Sequence, residues 1–198
     1  MSTIVITLSV FIIAESIWLV GKLEEISQRA TSSELAVTPI KEEVKIAEPE
    51  ALIKAAGPAV VSKGEEFILT VSLSARKDFS SDGMDVVLTY DSTFLEPVGV
   101  SAKINPDSLF KTAGLNLVEE DKARILVTIL DLQSPGGVAV RAGDESDLFT
   151  FGFKALKTGK TVVVVNNDRA ERRKTQVIKA STSDPLVLEK EDLVVMIK

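Results

Sequence analysis

Two strictly alternating runs joined by a polar turn, GEEFILTVSLSARKDFSSDGMDVVLTYDSTFLEPVGV from Gly64 to Val100, restrict this chain more than any other feature. Phe67, Leu69, Val71 and Leu73 recur at every second position, and so do Met84, Val86, Leu88 and Tyr90. A period of two sends successive side chains to opposite faces, so each run is a strand with one face for a core and the other for water. Ala75 to Gly83 is the punctuation between them.

The later segments repeat the pattern. Ala51 to Val61 is a first strand interrupted at Gly57-Pro58, where the missing proline N–H demands an edge position or a bulge. Ile125, Val127 and Ile129 share one face of Ala123 to Leu130, and Ser134-Pro135-Gly136-Gly137 then forces a turn. Phe149, Phe151 and Phe153 point inward from Leu148 to Ala155, with Thr150 and Lys154 outward. Val162 to Val165 is a short β-branched run compatible with cover on both faces, and Leu193, Val195 and Ile197 alternate to the end. Asn105 to Gly114 alone breaks the pattern, and Pro106, Asp107 and Ser108 predict a short helical turn there. Eight or nine short strands separated by regular turns predict an all-β, two-layered sandwich in Greek-key or jelly-roll order over residues 51–198.

Composition removes whole classes of function. The chain of 198 residues has neither Cys nor His, which excludes a disulfide frame, a thiol nucleophile, an imidazole base and a Cys/His zinc site. A net charge of -6 argues against a nucleic-acid partner, which normally requires an excess of Lys and Arg. No cofactor motif is present in the sequence.

The N-terminus is different in kind. Ile4 to Val20, IVITLSVFIIAESIWLV, is nearly all apolar, and with its flanks it reaches the ~30 Å of a hydrocarbon core as a single α-helix, with Trp18 near one interface. Residues 1–30 are therefore expected to be a transmembrane helix with a possible extension, through Leu19, Leu23, Ile26 and Ala30. A cleaved signal peptide is the competing reading; the missing basic n-region and the lack of a small-x-small site oppose it. Glu15 falls inside the apolar run, where a carboxylate is protonated, near the interface, or paired with a second helix. Residues 31–50, rich in Ser, Thr, Pro, Glu and Lys, read as a flexible spacer. Lys22 and Arg29 follow the helix with no basic residue before it, which by itself favours a cytoplasmic domain.

Candidate sites are few. Asp82, Asp85 and Asp91 form the nearest carboxylate cluster, with Asp85 outward on its strand and Asp82 and Asp91 read as turn residues. A glycosidase needs two such acids about 5 to 9 Å apart. Gly143-Asp144-Glu145-Ser146-Asp147 offers carboxylates without EF-hand spacing and reads as a solvated loop, so no catalytic or metal residue is assigned. Arg169, Arg172, Arg173 and Lys174, after Asn166-Asn167-Asp168, stand out against the acidic background: a hairpin tip, or a binding surface for an acidic partner, an anionic glycan or phosphate. The single Tyr and single Trp weaken direct polysaccharide binding, which relies on stacked rings.

Several of these segments, in order and spacing, resemble the cohesin family: Gly64-Glu65-Glu66-Phe67, Gly83-Met84-Asp85, Tyr90-Asp91 and Leu95-Glu96, then Asp147 to Ala155, Gly159 and its valine run, and a terminal strand after Asp192. The resemblance implies a nine-stranded jelly-roll β-sandwich that binds without catalysis, gripping a dockerin partner or serving as a surface module related in fold to carbohydrate-binding domains. It also implies an extracellular domain, against the charge bias around the helix. It transfers no binding residue, because family recognition uses an exposed sheet face whose residues vary. The expected function is a membrane-anchored cell-surface module that attaches another protein or its own kind. A pilin-like filament subunit assembled through the N-terminal helix and a carbohydrate-binding module are the alternatives.

Overall fold

The computed structural model describes residues 47–198, Leu132 and Arg169 excepted, so the expected helix 1–30 with Glu15 and most of the spacer lie outside the described residues. The described chain forms β1 (Ala51–Ala56), β2 (Val60–Val61), β3 (Glu66–Ala75), β4 (Phe79–Thr89), β5 (Leu95–Ile104), β6 (Thr112–Glu119) and β7 (Arg124–Leu130). It continues as β8 (Val138–Val140), β9 (Glu145–Ala155), β10 (Gly159–Val165), β11 (Gln176–Lys179), β12 (Leu188–Glu191) and β13 (Leu193–Ile197).

Two sheets face each other. The smaller runs β12-β1-β3-β9-β5; the larger runs β2-β13-β10-β4-β7-β6, with β8 and β11 also paired to β4. All pairs are antiparallel except β1 with β12 and β2 with β13. The sandwich is as expected, but thirteen strands replace the expected nine, for a physical reason. The first strand is cut at Gly57-Pro58, so that β1 stays in the smaller sheet while β2 crosses to the larger. Gly57 permits the crossing because a Cβ there would meet the Leu193 side chain at 3.0 Å and the Ile68 carbonyl oxygen at 3.2 Å. The last strand is cut in the same way at Asp192, giving β12 and β13, and the short β8 and β11 add two more.

The alternations place the core where the period-two rule puts it. Phe67, Leu69, Val71 and Leu73 of β3 pack with Met84, Val86 and Leu88 of β4, and with Ile125, Val127 and Ile129 of β7. Phe149, Phe151 and Phe153 are buried as expected. A bulge between Val71 and Ser72 in the β3–β9 ladder turns Leu148 inward as well, so consecutive residues share the core face. Val163 and Val165 of β10 are buried while Val162 and Val164 are half-exposed, so this strand has one core face rather than cover on both.

Two further expectations are corrected. Asn105 to Gly114 is not helical: one turn closes by a hydrogen bond from the Ser108 N–H to the Asn105 carbonyl at 3.0 Å, and β6 begins at Thr112. The described residues have a 3-10 turn instead at Glu120–Lys122, ended by Ala123 in the left-handed region at φ 47°. Asp82 lies within β4 rather than in a turn. At the open flank of the sandwich the Asn116 side chain stands in for a strand: its Oδ1 accepts from the Ala102 N–H and its Nδ2 donates to the Ala102 carbonyl, each at 2.8 Å. That clip bridges β6 to a bulged β5, whose register jumps between Val98 and Lys103.

Glu50 ties the start of the domain to its end. Its Oε1 accepts from Lys179 Nζ at 2.7 Å and its Oε2 from the Val187 N–H at 3.2 Å. Burial opposes ionisation, but the Lys179 and Val187 hydrogen bonds and the nearby charge of Lys179 outweigh it, so the carboxyl sits below its ordinary 4.5. With the folded value depressed, this contribution to stability is fully present above about pH 4.5 and is lost as pH falls through the folded value. Glu50→Gln is expected to lower stability at neutral pH and to flatten its acid dependence; thermal unfolding of both proteins across a pH series measures the difference.

Candidate functional site

Val87 and Leu126 sit directly opposite each other in the β4–β7 ladder, on the side of the sheet turned away from the core. They are nevertheless almost fully buried, at 2% and 3% exposure, so something covers the outer face of the larger sheet. The cover is the basic segment. β10 and β11 pair with the same side of β4, Val165 opposite Leu88 and Gln176 opposite Asp85, and residues 167–174 leave the ladder between them. This segment is therefore an excursion from the middle of a strand and not the hairpin tip that was one sequence reading.

Its base is closed by hydrogen bonds. The Thr175 hydroxyl accepts from the Val87 N–H at 3.0 Å, and the Thr175 N–H donates to the Asn166 carbonyl at 2.6 Å. Asp168 shapes the turn by accepting from the Ala170 N–H at 2.9 Å. The far end reaches across β4 and β7 to the β6–β7 hairpin. There Glu119 accepts from Arg124 Nε at 2.8 Å and from Arg173 at 3.3 Å, while Arg124 lies 3.8 Å from Glu171. The Arg124 hydrogen bond, only partly opposed by desolvation and helped by the charges of Arg124 and Lys122, holds the Glu119 carboxyl below its ordinary range.

The excursion and the sheet enclose a recess of about 150 Å³. Val87, Leu115 and Leu126 supply apolar surface; Asp85, Thr128 and Gln176 supply the polar wall; Arg172, Arg173 and Lys174 form the rim. Asp85 accepts from the Thr128 hydroxyl at 2.6 Å and from Gln176 Nε2 at 3.0 Å. Leu115, on the edge strand β6, is 42% exposed and gives the recess an apolar lip.

The other sequence candidates do not join this site as a group. Arg169 and Glu15 lie outside the described residues. Asp91 accepts from the Thr93 N–H and hydroxyl in a turn, and those bonds hold its carboxyl low. Gly143 to Asp147 is not the expected solvated loop throughout, because β9 begins at Glu145: Asp144 in the turn accepts from the Arg141 N–H at 2.8 Å, and Glu145 on the strand accepts from the Ser74 hydroxyl at 3.3 Å. Among the described residues no cluster of three His, Cys, Asp or Glu side chains could hold a metal ion. Sequence reasoning missed Val87, Leu115 and Leu126. The signal was present for two of them, since Val86-Val87-Leu88 and Ile125-Leu126-Val127 are unbroken apolar triplets on strands that otherwise alternate.

The architecture defines a jelly-roll β-sandwich in which both terminal strands are shared between the sheets. The chain belongs to the cohesin family: the cohesin domain model matches residues 53–183. Solved cohesin structures share the fold. One is the cohesin of the Coh-OlpC-Doc435 complex, a type I cohesin–dockerin complex from Clostridium thermocellum. It is 12% identical with a TM-score of 0.57, over 77% of this chain and 96% of that one. The sixth cohesin of Acetivibrio cellulolyticus scaffoldin B, in complex with a Cel5 dockerin mutant, is 18% identical with a TM-score of 0.55, over 75% and 99%. The cohesin module of a Clostridium perfringens family 33 glycoside hydrolase is 14% identical with a TM-score of 0.56, over 76% and 98%. No curated protein sequence matches the chain.

Proposed function

We propose that this chain is a cell-surface attachment module, held to the membrane by residues 1–30, raised by the spacer 31–50, and binding a dockerin-bearing protein through the outer face of its larger sheet. The observation that carries the reading is the recess between that face and the 167–174 excursion, within a domain matched by the cohesin family. Apolar floor, hydrogen-bonded wall and charged rim are the elements of a protein-recognition surface, and none of them requires bond chemistry. That two of the similar cohesins are described in complex with dockerins supports a partner of the same kind. Among the described residues the exposed large apolar side chains are Val60, Ile68, Val98, Val100, Leu115, Val194 and Met196, all without rings. Sugar faces are gripped by aromatic rings, so this inventory favours a protein over a polysaccharide.

The test is binding of the full chain to a panel of dockerin modules by calorimetry. Leu115→Asp, on an exposed edge position, is expected to weaken binding about tenfold or more while leaving the melting temperature nearly unchanged. Unaltered affinity would place the contact elsewhere, and no binding to any dockerin or other protein would overturn the reading. Protease treatment of intact cells tests the membrane side: release of the domain is expected, and its protection would put it in the cytoplasm.

A further inference from the structure

Resting on the reading of the outer sheet face as the partner surface, we propose that the recess selects an acidic partner segment, in which an aliphatic side chain enters against Leu115 and carboxylates on either side of it pair with Arg172 and Lys174.

Charge bookkeeping around the recess carries this. Arg173 is engaged by Glu119 at 3.3 Å and serves to hold the excursion down. Arg172 and Lys174 line the same recess, and among the described residues neither has a carboxylate within salt-bridge distance. Asp85, the recess's own carboxylate, accepts from Thr128 and Gln176 and makes no salt bridge with either cation, so both keep a side open for a carboxylate from outside. The result is a cationic rim above apolar residues in a chain whose net charge is -6. A basic partner segment would meet two unpaired cations at close range; an acidic one completes both pairs and leaves the floor for an apolar side chain. The recess volume of about 150 Å³ matches one aliphatic side chain rather than a folded element. A polysaccharide carrying acidic groups would use the cations and leave the exposed Leu115 without an apolar partner.

The experiment uses the full chain and three labelled synthetic peptides, identical but for the residues flanking a central leucine: glutamates, glutamines or lysines. Fluorescence anisotropy is read at low and raised ionic strength. The glutamate peptide is expected to bind about tenfold tighter than the glutamine peptide, and the preference is expected to shrink with salt, as contacts at an exposed rim do. The double variant Arg172→Glu with Lys174→Glu is expected to invert the order in favour of lysine. A lysine preference in the native protein, equal binding of all three, no binding of the glutamate peptide, or a glutamate preference that survives the double variant each overturns the proposal. Displacement of the glutamate peptide by inorganic phosphate at equal concentration also overturns it, because the cations would then be a general anion site. Failure here is distinguishable from failure of the parent reading. A dockerin bound equally by the native chain and the double variant sinks the acidic segment alone, whereas a dockerin unaffected by Leu115→Asp removes the surface itself.

Discussion

Phe153→Ala is expected to lower the unfolding free energy by about 3–5 kcal/mol, the range found when a buried aromatic side chain is truncated and the cavity cannot collapse. Phe153 is fully buried in β9, the second strand of the β3–β9–β5 run. Its ring meets Phe151 and Tyr90 edge-on, each with centroids 5.2 Å apart, and lies stacked 6.0 Å from Phe67. Such pairs add about 0.5–1.5 kcal/mol beyond the area they bury. Tyr90 lies just past the end of β4, so the ring also couples the two sheets. Urea unfolding measures the loss, with the slope against denaturant expected to stay constant while the midpoint falls. A loss below about 1 kcal/mol would mean that the rings relax into the gap, contrary to the close packing of a native core.

The second large effect is expected at Gly83. A methyl group there would lie 2.4 Å from the Ile129 carbonyl oxygen and 3.0 Å from the Leu130 Cα. Both are backbone atoms of the paired strand β7, so no side-chain rotation relieves the clash, and β4 must move away from β7. Gly83→Ala is expected to cost about 1–3 kcal/mol, the usual range for overpacking, or more if the ladder opens. The local hydrogen bonds from the Gly83 N–H to Ser81 Oγ and from that hydroxyl back to the Gly83 carbonyl would be strained together. Because β4 also carries β8, β10 and β11, partner binding is expected to weaken along with stability. Gly114→Ala is the matched control. Its methyl would meet only side-chain carbons, of Thr128 and Leu130 at 3.2 to 3.4 Å, and it is expected to be close to neutral. Equal melting temperatures for the two variants would show that the β4–β7 approach is not as tight as described.

Much of this could be read before any coordinates. The phase of Phe67 to Leu73, of Met84 to Tyr90 and of Phe149 to Phe153 states which side of each strand faces the core, because successive side chains of a strand point to opposite faces of its sheet. The wider order of segments pointed to a cohesin, and residues 53–183 match that family. The basic cluster was visible as a composition anomaly, but its role as a cover over a sheet face was not. Nothing in the residues 167–174 says that the chain returns to the same side of β4, since that depends on pairing Gln176 with Asp85 far back in the sequence.

The all-β class and the core faces of the main alternating strands follow from the residues alone, because side-chain alternation is a local property set by each residue's own neighbours. The short β8 and β11, the division of the first and last strands between two sheets, and the burial of Val87 and Leu126 on the outer face under an excursion from β4's ladder emerge only in the folded chain. Those outcomes depend on which distant segments become neighbours. A period of two specifies which way a side chain points and carries no information about what it will meet there.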